Sequence, residues 1–146
     1  MWPSHFFTEA EMTRSQTAAA HHLNNTPPPA ILLRLGETAR RMDRIRILLS
    51  APIHVNSGYR SPEVNRLVGS ADSSAHVQGY AVDFTCAGWT PLAIAQAILA
   101  RPTIEFDQII HEGTWLHISF DTRFRRQVLT AHRHNGKTTY TEGLSA

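Results

Sequence analysis

The sequence predicts an α+β domain. Three observations carry this: apolar residues at helical spacing behind Ser/Thr and Pro start signals, short runs of alternating apolar and polar residues, and no regular alternation between the two kinds of segment. The 146 residues amount to one ordinary domain. A hydrophobic fraction of 42% supplies one core, and 18% charged residues are too few for a disordered chain. The expected unit is a small antiparallel sheet with flanking helices, spanning 1–146 as a single domain. Residues 1–26 are expected to form an N-terminal arm, and 133–146 a frayed tail.

Thr8 and Glu11 have capping-box spacing and open a short helix, since each side chain can satisfy the other's free amide. Asn24 to Pro29 reads as a turn. The longest helix follows, from about Pro28 to Leu49, with Ile31, Leu32, Leu35, Ala39, Met42, Ile45, Leu48 and Leu49 on one stripe. Pro52 to Asn56 is a short strand leading into the turn Ser57-Gly58-Tyr59, and Ser61-Pro62 starts another helix. Tyr80 to Thr85 alternates as a strand that puts Val82 and Phe84 on one face and Asp83 on the other. Thr90-Pro91 starts a helix reaching about Ala100. Asp107–His111 and Trp115–Phe120 are strands joined by a tight turn at Gly113, with His117 off the apolar face.

The net charge is +2, and thirteen of the fourteen basic residues are Arg. Arginine forks suit carboxylates and phosphates. At this charge, without interleaved aromatics or a reading motif, no nucleic-acid partner is expected. Nine histidines are many for this length, and histidine is the commonest metal ligand among side chains. The lone Cys86 excludes an intrachain disulfide and a cysteine-rich zinc knuckle. The first seven residues lack the basic start and long apolar run of a signal peptide, and no stretch approaches the ~20 apolar residues of a membrane span. Synthesis in the cytoplasm without an export signal, no membrane insertion and a monomeric state are the expectations.

Three constellations carry chemistry. In Ser74-Ala-His76-Val-Gln-Gly79-Tyr-Ala-Val-Asp83, a carboxylate sits mid-strand between apolar neighbours, an expensive position unless it is paired or metal-bound. A His–Asp ion pair would account for this spacing nearly as well as a metal. His117, central in its strand, likewise needs a polar partner or a metal. Two His and one Asp make a three-ligand set with an open fourth position, as catalytic zinc requires. Arg60, in Ser57-Gly-Tyr-Arg60-Ser61, follows a turn and precedes a helix, so its side chain could overhang a cleft or simply be solvated.

Ser57-Gly-Tyr-Arg60-Ser-Pro-Glu-Val-Asn65, Ser74-x-His76-x-x-Gly79-x-Ala-x-Asp83 and Trp115-x-His117-x-Ser119 occur in this order. Together they resemble the zinc D-Ala-D-Ala carboxypeptidase family, especially its small bacteriophage and prophage members. Phe7-Thr8-Glu-Ala-Glu-Met-Thr-Arg-Ser with Asn25-Thr26-Pro-Pro is similar to the same phage proteins, so the resemblance spans most of the chain.

The resemblance implies zinc held by His76, Asp83 and His117, a substrate carboxylate bound by Arg60, and Ser74 beside the metal hydrogen-bonding substrate. It implies the compact α+β fold shared with the hedgehog signalling domain, with the zinc site on the sheet face. The implied activity is hydrolysis of peptide bonds in bacterial peptidoglycan, as a carboxypeptidase or a lytic endopeptidase. Such an enzyme would reach the wall by holin-dependent release or by delivery in a virion. Many relatives carry a carboxylate three residues before the last His ligand, where this chain has Thr114. Glu112 is the nearest acidic alternative for the catalytic base, and as a turn residue it could equally be a solvated carboxylate. His111 beside it could support the site or merely end a strand. The departure at Thr114 also leaves room for an inactive, metal-bearing domain that binds peptidoglycan or a protein.

Overall fold

The computed structural model describes residues 1–145. The helices are α1 (Glu9–Thr13), α2 (Gln16–Ala20), α3 (Pro29–Leu49), α4 (Pro62–Leu67) and α5 (Pro91–Leu99). Their starts follow the sequence signals: the Thr8, Ser61 and Thr90 hydroxyls accept from backbone amides in the first turns of α1, α4 and α5, and Pro occupies a first-turn position in α4 and α5. Helix α2, capped by Ser15, was not anticipated. Within residues 1–26, Phe7, Met12 and Ala18 are buried.

The strands β1 (Ile53–Ser57), β2 (Ala81–Cys86), β3 (Gln108–His111), β4 (Leu116–Ser119), β5 (Gln127–His134) and β6 (Lys137–Glu142) form one sheet in the order β1-β2-β4-β3-β5-β6. This corrects two expectations. The sheet has six strands and is mixed, because β5 runs parallel to β3. The tail expected to fray from residue 133 instead completes β5 and returns as β6, turning through Asn135 and Gly136, both at positive φ. Ala146 lies outside the described residues.

The connection from β4 to β5 is held by Asp107. Its buried carboxylate accepts from Arg125 Nε and Nη2, both at 2.8 Å, and from the Arg125 amide. A bidentate pair of this kind fixes a loop more firmly than single contacts do.

One sheet face packs on α3 and α5. Val55, Val82, Phe84, Ile109, Leu116 and Ile118 meet Leu35, Ala39, Met42 and Ile45 from α3, and Ile94, Ala95 and Ile98 from α5. The other face carries the polar candidate residues. Ladder register places Ser57, Asp83, His117, Ile110 and Leu129 in a row across it, because residues directly opposite in neighbouring strands point to the same side. His111 pairs with Leu116 and so belongs to the core-side row, away from Asp83 and His117. Among the described residues no helix is long and apolar enough to cross a membrane.

Candidate metal centre

Asp83 and His117 face each other across the β2–β4 ladder, and His76 reaches them from the loop before β2. That loop turns at Gly79, whose φ of 81° suits glycine, and a Cβ there would sit 3.0 Å from the Ile31 carbonyl of α3. Thr38 of α3 donates its hydroxyl to the Gly79 carbonyl at 2.7 Å, so the long helix holds the loop from behind. Ser74 Oγ accepts from the His76 amide at 3.2 Å. The Ser74 hydroxyl therefore braces the turn that presents His76, besides lining the groove.

One ligand atom from each of His76, Asp83 and His117 lies within 4.8 Å of the other two. In the metal-free cluster His117 Nδ1 donates to Asp83 Oδ1 at 2.8 Å, a proton that metal binding would displace, and His76 Nε2 lies 3.2 Å from the same oxygen. The protonation pattern of His76 is decisive for the fit. The Gly58 carbonyl can only accept, so His76 Nδ1, 2.7 Å away, carries the hydrogen. In the neutral ring Nε2 is then bare, and its lone pair faces a carboxylate oxygen.

Burial pushes the His76 imidazole below its ordinary range, and the opposing Asp83 charge does not overcome it. Burial alone would raise the Asp83 carboxyl, but with His76 neutral the hydrogen bond from His117 still holds the group below the usual carboxylate range. A neutral imidazole and an ionised carboxylate presenting lone pairs to one point form a site for a cation. Two nitrogens and one oxygen suit zinc, whose tetrahedral ligands at ~2.0–2.1 Å lie roughly 3.3 Å apart. The donor set fits the metal.

Around this cluster runs a groove of about 780 Å³, lined among others by Arg60, Ser74, Glu112, Trp115, Arg133 and Tyr140. Arg60 is presented by the turn after β1, where a bulge between Val55 and Ser57 shifts the register. Asn25 flanks it on both sides: its Nδ2 donates to the Tyr59 carbonyl at 3.0 Å, and its Oδ1 accepts from the Ser61 amide at 2.7 Å. Arg60 Nε is buried without a hydrogen-bond partner, and among the described residues the side chain has no ion pair. Burial shifts this group down against the pull of Asp83 and Glu112, yet an arginine stays charged at any ordinary pH. A half-buried guanidinium without a partner in a groove is a receptor for an anion.

Glu112 lines the same groove from the turn after β3. Burial and then the Asp83 charge lift its carboxyl above the usual range, opposed by His117 and Arg133. Thr114 is exposed and does not line the groove.

The family model for peptidase M15 matches residues 5–119. The chain belongs to the peptidase M15 family. Zinc dependence is a property of M15 peptidases, in agreement with the donor set. No curated protein matches the chain. The M15 match includes every candidate residue named from the sequence, from Arg60 to His117. It ends before β5 and β6, whose Leu129, Arg133, Thr138 and Tyr140 also line the groove. Sequence reasoning missed these four. The signal that could have found them is Asn135-Gly136, the strongest short-range mark of a β-hairpin, flanked by the strand-favouring Thr138-Thr139-Tyr140-Thr141.

The buried, neutral His76 gives this M15 peptidase a pH signature when metal-free. An unfolded histidine titrates near ~6.5. Below that the unfolded chain takes up a proton that folded His76 does not, so the stabilisation present above pH ~6.5 is lost as the pH falls. Asp83 and Asp107, also depressed, act in the same direction below ~3.9; Asp107 is lowered first by its Arg125 hydrogen bond. Glu112, raised, acts oppositely, contributing below ~4.3 and losing that contribution as the pH rises. Calorimetry in chelator should therefore show a melting temperature that declines from pH 7 to 5, with a limiting slope of about 1.4 kcal/mol per pH unit for one proton. A flat profile over that window contradicts a buried neutral His76.

Proposed function

We propose that this M15 peptidase hydrolyses peptide bonds of bacterial peptidoglycan, in stem peptides or in the cross-links between them. The observation that carries this reading is one groove holding a three-ligand cluster, an unpaired, half-buried arginine and a carboxylate of raised pKa. His76, Asp83 and His117 would hold zinc. When bound, zinc acidifies water and polarises a carbonyl oxygen, making hydrolysis accessible at neutral pH.

Glu112 accepts a proton from the attacking water and returns it to the leaving amine. A carboxyl raised by burial suits both halves of that exchange, since a base matched to the working pH also acts as an acid. Arg60 binds a carboxylate of the peptide and fixes the scissile carbonyl beside the cluster. Ser74 offers its hydroxyl to the peptide backbone. The phage-like motifs favour a lytic endopeptidase, delivered to the wall through a holin or in a virion, and kinship with the hedgehog signalling domain belongs to the same reading.

The test is digestion of purified peptidoglycan, scored as new amino termini, with zinc content measured on each protein. Wild type releases peptide ends. Glu112→Gln keeps its zinc and loses turnover by roughly 10²–10⁴-fold, the usual contribution of general acid–base catalysis. A fully active Glu112→Gln protein removes that residue from the mechanism. The exposed Thr114, where many relatives carry a carboxylate, supports a second reading as a metal-bearing binding domain. Wild type that sediments with peptidoglycan but frees no peptide ends decides for it.

A further inference from the structure

We propose that Arg133, on the C-terminal hairpin, is a positioning residue that holds the Glu112 carboxylate at the rim of the metal centre. The inference rests on the reading of Glu112 as the base. Glu112 sits beside Gly113, whose φ is 99°, in a tight turn closed by the Glu112 amide donating to the Trp115 carbonyl at 3.1 Å. A glutamate there has three side-chain torsions and would sample several rotamers.

Arg133 removes that freedom from both ends of the residue. Its Nη1 donates to the Glu112 main-chain carbonyl at 2.6 Å, while Nη2 donates to Oε2 at 3.3 Å. One rigid fork thus ties the carboxylate to its own backbone. The guanidinium is itself located, stacked over the Trp115 ring with its carbon 5.0 Å from the centroid. Ladder pairing with Thr138 supports its strand position. Among the described residues Glu112 Oε1 has no hydrogen-bond partner, so one oxygen is anchored and the other is free for a proton.

A lysine at 133 would keep the charge and lose the fork, because an ammonium is a point donor on a flexible stem. Arg133 lies beyond the span matched by the family, so the base is supplied by one part of the chain and held by another.

The experiment is steady-state kinetics on soluble muropeptides with zinc-loaded wild type, Arg133→Met, Arg133→Lys, Glu112→Gln and the Arg133→Met/Glu112→Gln double variant. The Arg133 side chain is about half exposed and outside the core, so its loss should leave the fold intact, and melting temperature and zinc content verify this. Arg133→Met should lower kcat about 10- to 100-fold, the scale of a misplaced catalytic group, with KM and zinc content unchanged. Arg133→Lys should behave like Arg133→Met. In the Glu112→Gln background the Arg133 substitution should cost nothing further. A wild-type kcat for Arg133→Met, a loss confined to KM, full rescue by lysine, or a fully additive loss in the double variant each overturns the positioning role. Full activity of Glu112→Gln instead overturns the base assignment on which it depends.

Discussion

Asp83→Ala protein, purified beside wild type and analysed for metal by mass spectrometry, should contain no zinc and release no peptide ends from peptidoglycan. Asp83 supplies the one anionic donor of the cluster, and both imidazoles are oriented on its Oδ1. Loss of a partner that merely orients a zinc ligand costs 10–100-fold in affinity, so loss of the carboxylate itself should exceed about 100-fold. Two neutral imidazoles would then face a divalent cation without charge compensation. Asp83→Asn separates charge from shape: its amide oxygen can still accept from His117, so the loop and sheet should stay in place while zinc is lost. Full zinc occupancy in Asp83→Ala would exclude the ligand assignment and the hydrolytic mechanism built on it.

Gly58→Ala should both destabilise the protein and weaken its zinc site, although residue 58 touches neither metal nor substrate. A Cβ there would lie 2.3 Å from the Met12 carbonyl oxygen and 3.0 Å from its carbon, and backbone atoms of α1 cannot rotate aside. Relief requires moving α1 away from the turn, which strains the hydrogen bond from the Tyr59 amide to Met12 and Asn25's bridge from Thr13 to Tyr59 and Ser61. Overpacking of this kind costs about 1–3 kcal/mol and each lost buried hydrogen bond ~1–3 kcal/mol more. A fall of roughly 10 °C in melting temperature is expected for a domain of this size. The Gly58 carbonyl also fixes the His76 tautomer, so zinc affinity should drop about 10- to 100-fold. Calorimetry and a competitive zinc titration measure the two effects, and unchanged values in both would mean that the N-terminal helix does not brace the site.

The parts legible in the sequence are those governed by local chemistry. Thr8, Ser61 and Thr90 announce helix starts because a cap needs only residues a few positions apart. Asp83 and His117 stand out because a polar residue centred in an apolar strand demands a partner, and the structure brings them together. The hairpin escaped for the opposite reason. All six residues of β6 are exposed, so no apolar alternation marks the strand, and only the turn and the β-propensity of Thr and Tyr remain. The parallel β3–β5 pair is flanked by the contact between Asp107 and Arg125, eighteen residues apart, a long-range contact that no local pattern reveals. Arg133 was invisible with its hairpin, since its role depends on the tail coming back beside Glu112.

The direct opposition of Asp83 and His117 in the β2–β4 ladder has a consequence for how the chain reaches its native state. Side chains alternate faces along a strand, so a slip of one residue in this pairing would send His117 into the apolar side and bring Ile118 or Leu116 out. A mispaired chain offers the ion an incomplete set of donors, and the free energy of coordination goes only to the correct alignment. Zinc present during refolding should therefore act as a proofreader, enriching correctly aligned molecules.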